Sequence, residues 1–141
     1  MSKLNKWMTW GVSAVFAAAV PLVGLAADDA VSQEVSMAEA HAKMAASADS
    51  LEMTHTHLHH VINCLVGEDG EGFDANEANP CHGMGDGALP DSADNTDVHA
   101  QLQTAASDAR AALNDDDKAS AQETAHQIAQ ALGQAAASIA D

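Results

Sequence analysis

The chain has 141 residues and carries 5 Lys and Arg against 21 Asp and Glu, a formal net charge of −16 at neutral pH. A surface so poor in cations excludes recognition of a phosphate backbone and docking on an anionic lipid surface, since both need a positive footprint. The length excludes a large two-domain enzyme and suits one small domain.

Residues 1–27 read as a secretory signal peptide. Lys3 and Lys6 supply the positive start, Gly11 to Leu25 the apolar middle, and Leu25-Ala26-Ala27 the small residues before a cut after Ala26 or Ala27. The apolar run, about 15 residues, is shorter than the ~20 that a spanning helix needs. The expected mature chain, 28–141, keeps Lys43, Arg110 and Lys118 against all the acids. Its expected address is the periplasm or the exterior, with no membrane attachment after cleavage. In an oxidising compartment the two cysteines, Cys64 and Cys81, are expected to form a disulfide.

The mature chain divides by composition into a long helix over 28–66, a loop over 67–97 and a helical hairpin over 98–140. In the first part Met37, Met44, Leu51, Leu58 and Leu65 recur every seven residues, and His41, Ala48, His55 and Ile62 follow the same period with an offset of four. Together they form the a and d seam of an amphipathic helix. The period runs without Gly or Pro, which favours one continuous helix over two, although Ser47, Asp49 and Ser50 are the residues that would break it. Gly67 is the expected stop.

The loop holds Gly67, Gly70, Gly72, Gly83, Gly85 and Gly87 with Pro80 and Pro90, and the disulfide would pin it over the end of the first helix. Its acids do not follow the spacing of a helix–loop–helix calcium site. Beyond it, Thr96 or Asp97 is the expected cap for a stripe of Val98, Leu102, Ala105, Ala109 and Ala112 or Leu113. Asn114–Asp117 forms a turn, and Ala121, Ala125, Ile128, Leu132, Ala135 and Ile139 form the last stripe. No segment alternates as a strand does. The fold class is therefore all-α, an antiparallel bundle of three helices, or four if the first one breaks, with a long disulfide-pinned loop. The seams are rich in Ala, so stability is expected to lean on the disulfide, on a bound group or on homo-oligomerisation.

All 8 histidines lie in the mature part. Four crowd into His55-Thr56-His57-Leu58-His59-His60. His55 and His59 are i,i+4 neighbours, a spacing that lets two imidazoles hold one metal ion. The heptad lettering turns His55 and His59 inward and His57 and His60 toward the flank, where they would add affinity. With the helices packed antiparallel, His126 lies within about 5 Å of the same height as His55. The expected metal residues are thus His55, His59 and His126, with His57 and His60 beside them, and the ion is copper, zinc, nickel or iron. His41 stands 14 residues before His55, about 21 Å along a continuous helix, so it cannot share a metal ion with His55 in the same helix. No nucleophile is paired with a base, so catalysis is not expected.

The stretch His55–Asp91, through H-x-H-x-H-H-x-x-N-C, G-F-D, N-P-C and G-x-G-A, resembles a group of small secreted proteobacterial proteins without a settled function. The architecture also resembles small His-rich periplasmic metal-binding bundles and, more loosely, the four-helix b-type cytochromes. The first resemblance implies export and the second a metal buffer or carrier. The third would imply a haem held by Met and His, for which this chain offers no assignable pair. Three functions follow in order: a periplasmic metal-binding protein, a b-type haem or electron-transfer bundle, and a partner-binding bundle whose histidines respond to pH.

Overall fold

A computed structural model describes residues 23–140. The expected leader up to residue 22 lies outside them. The described residues are helical throughout their regular structure: α1 Val23–Ala46, α2 Leu51–Val66, α3 Ala88–Asp91, α4 Thr96–Ala112 and α5 Lys118–Ala140. No helix among them is long and apolar enough to cross a membrane.

The continuous first helix is corrected. The chain breaks at Ser47–Ser50, and α1 folds back on α2. Local chemistry explains the break. The Ser50 hydroxyl accepts the Met53 amide at 3.1 Å and caps α2, while the Ser47 hydroxyl donates to the Lys43 carbonyl at 3.0 Å and satisfies the end of α1. Serine competes with the helix for its own backbone groups, so two serines around Asp49 stop one helix and start the next without Gly or Pro. The buried Thr54 hydroxyl lies 3.0 Å from the Ser50 carbonyl and 3.3 Å from the Ala45 carbonyl, tying α2 to α1.

The hairpin also changes the buried face of α1. Its core stripe is Val31, Val35, Ala38, Ala42 and Ala45, one residue out of register with the expected Met37–His41–Met44 seam. Met44 is 46% exposed, and Met37 packs only at the margin. On α2 the buried residues Leu58, Val61, Ile62 and Leu65 complete this core. The two C-terminal stripes fall where the periodicity puts them. Val98, Leu102, Ala105, Ala109 and Ala112 are buried on α4, as are Ala121, Ala125, Ile128, Leu132 and Ala135 on α5. The cap of α4 is Asn95, whose side chain accepts the Val98 amide at 3.2 Å, rather than Thr96 or Asp97. The most extensive helix packing is α1 against α5, and α4 packs on both α5 and α2.

Cys64 and Cys81 form the disulfide. A second device holds the loop. Asn63 is fully buried, and its amide donates to the carbonyls of Asp74 at 3.0 Å and Ala78 at 3.1 Å while its oxygen accepts the Asp74 amide at 2.9 Å. α2 ends at Gly67, whose φ of 73° lies in the left-handed region, and a Cβ there would run into the Asp86 carbonyl. Glycine is required at this point by both conformation and close approach.

Candidate metal centre

The α1–α2 turn pairs residues at equal distance from it. His41 lies five residues before the end of α1 and His57 six residues after the start of α2, so each is roughly 8–9 Å from the turn at 1.5 Å per residue. The two rings consequently meet across the helix interface. His60, one turn beyond His57, joins them on the same face of α2.

The three rings lie tilted or edge-on, with centroids 4.9 to 5.6 Å apart. His41 Nδ1 is 3.2 Å from His57 Nδ1 and 3.3 Å from His60 Nδ1. One ligand nitrogen from each residue lies within 4.8 Å of the other two. Nitrogens bound at about 2.0–2.1 Å to a common tetrahedral ion stand about 3.3–3.4 Å apart. The two separations at His41, also the length of an N–H···N hydrogen bond, are close to that edge, and three donors around one ion would leave a fourth tetrahedral position for water or another ligand.

The electrostatics keep the rings in the form that ligates. His41 is pushed down to about 4, first by burial, then by the charges that His60 and His57 would carry. Burial also lowers His57. His60 is lowered by burial first and then by its histidine neighbours, with Glu77 opposing them. Three neutral imidazoles at neutral pH need lose no proton from a charged state before binding a metal. Glu77 stands on the far side of His60, its Oε2 3.9 Å from His60 Nε2. A carboxylate beyond the outer nitrogen, within reach of one bridging water, orients a ligating ring and makes it more basic.

The remaining histidines go elsewhere. His55 and His59 do not meet His126. His55 Nε2 lies 3.1 Å from the Asp115 carbonyl, and His59 Nδ1 lies 3.6 Å from Asp74 Oδ2. Both line a shallow acidic depression with Glu52, Glu77 and Asp116. His126 is exposed on α5 beside Gln130, with their nitrogens 3.0 Å apart. His99 is held against the Leu89 carbonyl at 3.0 Å, and exposed His82 faces Glu68 at 2.6 Å. Of the expected metal residues, His57 and His60 enter the cluster, and His41 is the member that sequence reasoning placed outside it. His57 and His60 face α1, against the outward direction of the heptad lettering. The lettering assumed one helix, whereas α2 is rotated to bury Thr54, Leu58 and Val61. The signal available was Ser47-Ala48-Asp49-Ser50: read as a turn, it places His41 opposite His57.

Comparisons with protein-family models, with curated proteins and with solved structures give no match.

Proposed function

We propose that the chain is an exported, non-catalytic metal-binding protein, a buffer or carrier that holds one divalent transition metal ion at His41, His57 and His60. The observation that carries this reading is the convergence of one nitrogen from each of three imidazoles within 4.8 Å, with the two separations at His41, 3.2 and 3.3 Å, close to a tetrahedral edge. Imidazole donors suit zinc, copper, nickel and iron(II), and the tetrahedral spacing favours zinc among them. The acidic surface concentrates cations around the site and leaves nucleic acid and anionic membranes out of the reading, so that the metal ion is the partner. The disulfide supports an oxidising compartment. The four long helices are read as an antiparallel bundle whose disulfide-tied loop sets Glu77 behind His60. The His-x-His-x-His-His-x-x-Asn-Cys resemblance supports grouping the chain with small secreted proteins, because Asn63 and Cys64 of that motif both hold the loop.

The test is a competition titration of the mature, chelator-treated protein with zinc and copper(II), beside metal analysis of natively exported protein. One ion per chain is expected. His41→Ala and His57→Ala/His60→Ala are expected to abolish stoichiometric binding, whereas His55→Ala/His59→Ala and His126→Ala retain it. Binding that survives His41→Ala, or a parent protein that takes up neither zinc nor copper(II) and carries no transition metal when natively exported, would overturn the reading.

A further inference from the structure

Glu34 is a carboxylate on the core side of α1, fully buried. Its Oε1 accepts the Gly87 amide at 3.0 Å, and its Oε2 has no partner, the one buried side-chain oxygen or nitrogen so placed among the described residues. A second carboxylate faces it. Asp91 Oδ2 accepts the Asp86 amide at 3.0 Å, and a Cβ built at Gly85 would run into Asp91 Oδ2 and Glu34 Oε1 together. Gly85 is therefore the residue whose missing side chain leaves room between the two acids.

Among the described residues no positive charge answers them. Lys43 pairs with Glu39, Arg110 donates to the Glu71 carbonyl and Lys118 to the Asp49 carbonyl. Glu34 instead borders a cavity of about 250 Å³ whose other walls include Glu68, Asp69, Asn79 and Asp86. Burying a carboxylate without a cation or a full set of donors is strongly unfavourable, and setting a second carboxylate against it adds repulsion. The charged lining is mostly carboxylate, His82 is taken up by Glu68, and both sulfurs are locked in the Cys64–Cys81 disulfide, while Asp91 reaches Glu34 from outside this cavity across Gly85. Such donors suit a hard cation and not the ion proposed for the histidines.

We propose that Glu34 and Asp91 hold a hard divalent cation of the calcium class, which fastens the Gly83–Asp91 segment onto α1. The loop acids alone do not form a linear calcium motif. The site arises because the fold carries Glu34 from α1 to Asp91 of α3, a separation no contiguous motif describes. Calcium fits better than magnesium, since ligands drawn from a loop and two helix side chains match its irregular coordination rather than a strict octahedron. A dissociation constant on the order of 10⁻⁴ M is expected, as in extracellular calcium modules. The site is independent of the histidine centre in position and donor chemistry.

The test is calorimetric titration of the mature, chelator-treated protein with calcium chloride, with amide NMR shifts read in parallel. The parent is expected to bind one calcium ion, with shifts concentrated at Gly85, Asp86, Gly87 and Asp91. Glu34→Gln, which keeps the shape and the Gly87 contact, and Asp91→Asn are each expected to weaken binding at least tenfold. His41→Ala should leave calcium binding unchanged while losing the transition metal, so failure of either site is read separately. No calcium uptake by the parent at 5 mM free ion, shifts that map elsewhere, or unchanged affinity in a folded Glu34→Gln or Asp91→Asn protein would overturn the proposal.

Discussion

Replacing Asn63 by alanine removes the buried amide that organises the first half of the loop. Three hydrogen bonds disappear, those of 3.0 and 3.1 Å to the Asp74 and Ala78 carbonyls and that of 2.9 Å from the Asp74 amide. Each neutral bond contributes about 1 kcal/mol net. Asp74 is half-buried and Ala78 exposed, so water can satisfy part of what is left, which keeps the further penalty small. The expected destabilisation is about 2–3 kcal/mol, or about 8–12 °C in Tm for a domain of this size. The disulfide ties the same loop and contributes roughly 3 kcal/mol in the chain-entropy picture. Because both restrain one segment, their effects should not add: with Cys64 and Cys81 reduced, Asn63→Ala should cost less than it does in the oxidised protein by at least about 0.5 kcal/mol. The assay is reversible denaturant unfolding of the metal-free mature protein, followed by circular dichroism, with and without reductant. An oxidised variant within about 0.5 kcal/mol of the parent would refute the role assigned to Asn63, and strict additivity would refute the shared segment.

Glu77→Gln removes the carboxylate behind His60, 3.9 Å from its Nε2, without touching a ligating nitrogen; zinc affinity should fall by about 10–100-fold with one ion still bound, and an unchanged affinity in competition titration would detach Glu77 from the site. The metal-free protein should show two opposed pH effects. The unfolded chain protonates His41 at its ordinary 6.5 while the folded chain resists to about 4, so this contribution to stability is present above 6.5 and lost as pH falls toward 4. Glu34 is raised from 4.5 to about 7, by burial first and then by Asp91, so its contribution is present below 4.5 and lost as pH rises through 7. In chelator and without calcium, Glu34→Gln should therefore be more stable than the parent above pH 7 and should lose stability more steeply on acidification between 6.5 and 4.5. Parallel pH profiles for the two proteins would contradict these assignments.

Much of the secondary structure is written in the sequence because it rests on local periodicity. The stripes on α4 and α5 bury the residues their spacing selects, and an even cysteine pair closes as expected. Gly67 stops α2 for a reason visible in one residue. The turn at Ser47–Ser50 was the ambiguous point. A seven-residue repeat that continues across a turn looks the same as one that continues along a helix, and serine caps are weaker markers than Gly or Pro.

That ambiguity decided the site. The abundance of histidine and the four-His run of α2 mark candidate ligands from composition, but which nitrogens converge depends on where α1 returns. A continuous helix puts His41 about 21 Å from His55, whereas the hairpin puts its Nδ1 3.2 Å from that of His57. Glu34 and Asp91 are a like case, two carboxylates remote in sequence and joined at Gly85. Residue types and helix periods are properties of short stretches and can be read along the chain. The convergence of donor atoms is a relation between distant segments, fixed by the rotation and register of packed helices, and only the tertiary structure supplies it.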